Sequence, residues 1–198
     1  GHYRYVDANG DGIIDDNDRM PLFWSGTPLI HYGFNLEASW KNFDIYALLQ
    51  GAGMYTVQFS EVYAEVLWSK GANTPAYFYD RWRKEDPYNP NSKWVAGKWP
   101  ATRLIQDTGA MYKESNIWRR DASYLGLKTL ELGYTLPDSI LRKSGISNIR
   151  FYINGYNLLT FCDSFVKAFD PEKVEGSYSA GMNYPLTKSF NIGFTANF

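Results

Sequence analysis

The chain has 198 residues, 20 basic and 21 acidic side chains, a net charge of −1 and an aromatic content of 18%. Such a balance gives no electrostatic case for a nucleic-acid partner, and that many aromatic rings exclude a disordered chain. The lone Cys162 excludes a disulfide framework and a cysteine-based metal centre.

No stretch reaches the roughly 20 apolar residues of a membrane helix. The chain opens Gly1-His2-Tyr3, with neither an initiator methionine nor a signal peptide, and reads as a piece of something longer. Residues 1–30 carry the first motif. From Asp7 to Asp18 the spacing matches a calcium-binding loop: Asp7, Asn9 and Asp11 alternate, Gly12 takes the sharp turn, Ile13 offers its carbonyl and Asp15 follows. Calcium suits such a set because it is a hard cation that takes about six to eight oxygens. Asp18 closes the loop where glutamate is usual, so the loop must tighten or bind through one oxygen. A solvated Asn-Gly and Asp-Gly turn is the competing account. No helical pattern flanks the loop, so the expected ion is structural.

Residues 31–53 alternate. Tyr32, Phe34, Leu36, Ala38 and Trp40 oppose Gly33, Asn35, Glu37 and Ser39, and a tight Lys41-Asn42 turn follows. Phe43, Ile45, Ala47 and Leu49 then oppose Asp44, Tyr46, Leu48 and Gln50, which predicts a hairpin.

Residues 54–121 form a long connection with its own pattern. Phe59, Val62, Tyr63, Val66 and Leu67 recur at helical spacing, and Thr74-Pro75 predicts the start of a helix over Ala76–Arg83. A turn-rich break at Asp86–Ser92 follows, and then Trp94, Trp99 and Trp118. Aromatic faces near Asn, Asp and Arg can stack on sugars or grip peptides, which makes Tyr79, Trp82, Trp94 and Trp99 candidate substrate contacts. Packing of the connection onto itself is the alternative. His2 and His31 are the only imidazoles and belong to no Ser/His/Asp pattern. Asp80, Glu85 and Asp86 make a poor hydrolase pair, and no phosphate-binding glycine loop is present, so no enzyme is expected.

Residues 122–198 return to alternation. Leu130, Leu132, Tyr134 and Leu136 mark one strand, and Ile149, Phe151 and Ile153 a second. Leu186, Phe190, Ile192, Phe194, Ala196 and Phe198 mark a third, broken only by Lys188. Two architectures fit one-faced strands: a soluble antiparallel sandwich, or a transmembrane barrel apolar toward lipid and polar toward a wet lumen. Strand length, aromatic residues at strand ends (Tyr32, Trp40, Phe43, Phe198), and short connections alternating with long ones favour the barrel. The long connections are then external, and the short ones at Lys41-Asn42 and Pro137–Ser147 periplasmic. On this reading position 194 accepts leucine in place of Phe194 and rejects lysine. The alternative is a soluble calcium-stabilised carbohydrate-binding β-sandwich, expected as a detergent-free monomer.

The ordered motifs resemble the C-terminal end of the SusC/RagA family of TonB-dependent outer-membrane transporters of Bacteroidetes. The residues that carry the resemblance are Tyr5 to Asp15 with Asp18-Arg19, Tyr32 to Leu36, Phe43-Asp44-Ile45 with Gln50-Gly51, Ala122 to Lys128, Leu132-Gly133-Tyr134, Tyr152 to Leu158, and the terminal Phe198. The resemblance implies an all-β, antiparallel transmembrane segment: the last five or so strands of a barrel of about 22 strands, with long extracellular loops carrying short helices. It implies a SusD-like surface lipoprotein as partner, import of glycans or peptides, and coupling to TonB through an N-terminal part outside this chain. The remaining barrel and plug would complete the protein, membrane lipid would surround it, and Phe198 would serve as the outer-membrane assembly signal.

Overall fold

A computed structural model describes residues 3–59, 74–102, 115–142, 145–173 and 184–198. The chain gathers into two compact units, one of Gly1–Phe23 with Gln58–Arg119 and one of Trp24–Val57 with Arg120–Phe198. The long strands of the second unit are β1 (Ile30–Trp40), β2 (Phe43–Gly53), β7 (Tyr124–Thr135), β8 (Asn148–Phe161) and β9 (Ser189–Asn197). Between them in sequence come the short strands β3 (Thr56–Gln58), β4 (Arg83–Lys84), β5 (Trp94–Val95) and β6 (Arg119–Asp121).

The five long strands form one antiparallel sheet in the order β1-β2-β7-β8-β9, so each pairs with its predecessor in the chain among the long strands. At 9 to 14 residues each, they match the roughly 9–11 residues a tilted strand needs to cross a bilayer. Lys41 and Asn42 alone join β1 to β2, and Lys41 takes the positive φ of 54° that so tight a turn requires. The Asn42 side-chain amide donates to the Thr135 carbonyl at 2.8 Å and ties this turn to β7. The connection from β7 to β8 is also short and carries the single-turn helix α1 (Asp138–Leu141).

Register turns the alternation into rows. Trp40, Phe43, Tyr134, Phe151 and Phe194 face one another across all five strands, one aromatic residue from each. The next row on that face is Ala38, Ile45, Leu132, Ile153 and Ile192, and the next Leu36, Ala47, Leu130, Gly155 and Phe190. At the far end of the strands the face closes with Tyr32, Gly51, Leu125 and Phe161. These rows are largely uncovered: Ile153 is 51% exposed and Ile192 87%. Among the described residues the remaining ladders have two strands each, so no second sheet closes a sandwich over this face.

Two expectations need correction. Leu186 is not part of the last strand, which starts at Ser189; the Leu186 N–H instead donates to Asp170 Oδ2 at 2.7 Å. The helix expected over Ala76–Arg83 is a 3₁₀ segment, Ala76–Asp80, capped at Pro75 without a side-chain hydrogen bond. Its aromatic residues are poor helix formers, and the chain leaves the helix because the Trp82 N–H donates to the Trp99 carbonyl at 2.8 Å. The helical spacing read from Val62 to Leu67 lies outside the described residues.

Few side chains of the long strands are buried, among them Ala52 of β2 and Tyr124 of β7. In the second unit Tyr55, Val57, Ala122 and Val166 are buried, and the Tyr55 hydroxyl donates to the Pro171 carbonyl at 3.0 Å. Helix α2 (Ser164–Lys167) is capped by Asp163, whose Oδ1 accepts from the Phe165 N–H at 2.8 Å. Burial raises the Cys162 thiol above its ordinary pKa and makes it a weak nucleophile at neutral pH.

Candidate functional site

Three groups of residues carry chemistry. The first is the acidic loop of the first unit, which shapes itself through its own carboxylates. Asp7 accepts from the Gly10 N–H at 2.6 Å and the Gly12 N–H at 2.8 Å, and both glycines have positive φ. Asn9 Oδ1 accepts from the Asp11 N–H at 3.0 Å, and Asp11 Oδ1 from the Ile13 N–H at 2.7 Å. Asp18 spans the loop: its Oδ1 accepts from the Ala8 N–H at 2.7 Å and its Oδ2 from the Asp15 N–H at 2.9 Å. Asp15 in turn caps the short 3₁₀ segment Asp16–Asp18. The amides of Asp15 and Ala8 hold the Asp18 carboxyl below the usual carboxylate range. A lowered folded pKa means that Asp18 orders the loop above its unfolded pKa, and that the ordering is lost as pH falls through the folded value. Among the described residues no group of three or more His, Cys, Asp or Glu side chains is gathered to hold a metal. Asp18 Oδ1 accepts from both the Ala8 and the Asn9 N–H, whereas Asp18 Oδ2 and the Asp11 oxygens each accept one hydrogen bond and keep a lone pair for a cation.

The second group is aromatic and also lies in the first unit. Trp99 stacks on Trp118 with ring centroids 5.3 Å apart and packs against Tyr77 at 4.9 Å and Phe78 at 5.7 Å. Only 3% of Trp99 is exposed, so of the four proposed substrate contacts this one is core. Tyr79 is 83% exposed and stands apart from that cluster's interior. Trp82 and Trp94 belong to the hairpin of β4 and β5, where Lys84 pairs with Trp94. Trp82 precedes Lys84 by two residues in an extended segment, so Trp82, Lys84 and Trp94 share a face. Asx turns at Asp86 and Asn89 shape the hairpin loop, and the Lys84 ammonium donates to the Ser92 carbonyl at 2.7 Å. The same ammonium lies 4.8 Å from the centroid of the Trp94 ring.

The third group is the polar face of the sheet, which pattern reading did not single out. Arg150 on β8 donates through Nε to Asp44 Oδ1 on β2 at 3.0 Å, and its Nη2 pairs with both Asp44 and Glu131 of β7. The amide of Asn154 donates to Glu131 Oε2 at 3.0 Å, and that of Asn191 on β9 to Asn154 Oδ1 at 2.9 Å. The network thus crosses β2, β7, β8 and β9. Glycine makes room for it: a Cβ at Gly133 would collide with Arg150 and Asp44, and one at Gly193 with the Tyr152 ring. The signal available in the sequence was the placement of Asp44, Glu131, Arg150 and Asn154 on the polar parity of their strands.

A sheet with uncovered apolar rows on one face and a bonded ionic network on the other calls for two different solvents. No family model matches the chain. It is 31% identical to TonB-dependent receptor P3 of Formosa agariphila over 98% of this chain and 19% of that protein. To TonB-dependent receptor P26 of the same organism it is 30% identical, over 100% of this chain and 20% of that protein. Over essentially its whole length the chain is similar to TonB-dependent receptors.

It spans about a fifth of the length of these relatives. Among solved structures it is similar to the RagAB peptide importer in its open-open state, with 26% identity and a TM-score of 0.63 over 88% of this chain and 18% of that one. A structure of the RagAB peptide transporter gives 25% identity and a TM-score of 0.64 over 92% of this chain and 19% of that one. In the closed-closed state the TM-score is 0.66 at 24% identity over 96% of this chain and 20% of that one, which speaks for the fold alone. The five-stranded sheet is a segment of a β-barrel wall.

Proposed function

We propose that this segment forms barrel wall and extracellular loops in an outer-membrane importer of oligopeptides or oligosaccharides, driven through TonB. A SusD-like surface lipoprotein would work with it on the external side. The observation that carries this reading is the apolar face of the five-stranded sheet, backed by the Asp44–Arg150–Glu131 network. Lipid is the solvent such a face needs, and a wet lumen the solvent such a network tolerates. Similarity to the RagAB peptide importer supports the import role and the two-component assembly. The test is uptake of labelled peptides and oligosaccharides by cells expressing the full-length transporter with its neighbouring lipoprotein. Uptake that stops when the proton-motive force is collapsed supports the reading. Uptake indifferent to that collapse, or recovery of the full-length protein from the soluble fraction, contradicts it.

The acidic loop is proposed as a structural calcium site with Asp7, Asn9, Asp11, Asp15 and Asp18 as side-chain ligands and Ile13 as a carbonyl ligand. The spacing and the oxygen-only donor set support calcium. Binding would draw the carboxylates together from their present hydrogen bonds and brace the loop. A protein carrying Asp7→Ala with Asp11→Ala is expected to lose calcium binding in titration calorimetry. It is also expected to gain protease cleavage between residues 7 and 18. Equal calcium uptake by variant and parent would contradict the assignment.

A further inference from the structure

We infer that the β4–β5 hairpin is a binding platform for acidic oligosaccharides, a proposal that rests on the importer reading and names its substrate class. Trp82 is 38% exposed and Trp94 50%, and with Lys84 between them they occupy one face of a short hairpin. Exposed indole on an open surface suits the apolar face of a sugar ring, which stacks flat and needs no enclosing pocket.

Charge selects among sugars. Between Asp80 and Lys98 there are five cations (Arg81, Arg83, Lys84, Lys93, Lys98) and three carboxylates, an excess of two positive charges in a chain whose total is −1. Asp86 is exposed, its carboxylate accepting from the Tyr88 N–H at 2.9 Å; Arg83 and Lys93 are also exposed but alternate to the opposite face, so Lys84 is the cation that shares a face with Trp82 and Trp94. Lys84 is held in place by the Ser92 carbonyl and by the Trp94 ring. An ammonium has three donors, and one of them reaches Ser92, so Lys84 can still meet a carboxylate or sulfate on a sugar stacked at Trp82 or Trp94. The shared chemistry is therefore an anionic pyranose polymer.

The test uses the full-length transporter in detergent with three probes: hexagalacturonate, neutral maltohexaose and hexaglutamate. Hexagalacturonate is expected to bind, and to weaken steeply as salt rises. Combined Trp82→Ala and Trp94→Ala should lower its affinity about tenfold or more, with partial recovery in Trp82→Phe and Trp94→Phe. Lys84→Gln should reduce the preference for hexagalacturonate over maltohexaose. Four results would overturn the platform: no binding of hexagalacturonate, equal binding of maltohexaose, binding indifferent to all these variants, or sensitivity to them confined to hexaglutamate. A transporter that reaches the outer membrane and imports substrate, yet gives one of those results, leaves the importer reading intact. Absence of the unmutated protein from the outer membrane would instead sink that reading.

Discussion

An Ile192→Lys transporter is expected to be lost from the outer membrane, while Ile192→Leu assembles normally. Ile192 lies in the row of Ala38, Ile45, Leu132 and Ile153, one step inward from the aromatic row. A lysine on the lipid face costs about 2–4 kcal/mol at the bilayer midplane and about 0–1 kcal/mol near the interface. Phe194 stands in the aromatic row with Trp40, Phe43, Tyr134 and Phe151. A lysine there can reach the headgroups with its stem along the apolar surface, so Phe194→Lys should cost less than Ile192→Lys. The measurement is the amount of folded, heat-modifiable protein in purified outer membranes. Equal amounts for parent and Ile192→Lys would contradict the lipid-facing assignment.

Replacing Arg150 with methionine is expected to destabilise the wall by about 1–3 kcal/mol. The substitution leaves the carboxylates of Asp44 and Glu131 close together without the guanidinium that joins them. Breaking a fully buried pair costs about 3–5 kcal/mol, but Arg150, Asp44 and Glu131 keep 27%, 34% and 24% of their side-chain surfaces exposed, so water offsets part of the loss. Adding Asp44→Asn and Glu131→Gln to Arg150→Met should restore much of the stability by removing the repulsion. Urea midpoints of the folded barrel give the comparison. A neutral Arg150→Met, or no recovery in the triple variant, would show that the network contributes little.

The hairpin of β1 and β2 was legible because a two-residue turn sets Trp40 directly opposite Phe43, so the even-numbered apolar set of one strand meets the odd-numbered set of the next. The first half of β7 was not. Leu125 and Leu127 are odd and Leu130 and Leu132 even, so the alternation breaks at Lys128. The structure places a β-bulge there: register shifts between Leu127 and Thr129 on the β8 side and between Leu48 and Leu49 on the β2 side. The extra residue returns both leucine pairs to the apolar face and frees Lys128 to pair with Glu172. The same irregularity hides the end of β8, where Asn157 takes a φ of 53°. The burial of Trp99 is hidden in the sequence for a different reason. Sequence gives the number of indoles and not their burial, and only tertiary packing against Trp118 decides that this one is core. Trp82 and Trp94 are brought together by the two-residue ladder of β4 and β5, a pairing too short to announce itself by alternation.

The most direct test of the account is cysteine accessibility along β8 in the full-length transporter, with Cys162→Ser as background. Single cysteines at Phe151, Tyr152, Ile153 and Asn154 are labelled in intact outer membranes with a membrane-impermeant maleimide and, separately, quenched by a lipid-borne spin label. Maleimide labelling is expected at positions 152 and 154, and lipid quenching at 151 and 153. Uniform labelling of all four positions, or the reverse pattern, would contradict a wall that faces lipid on one side and water on the other.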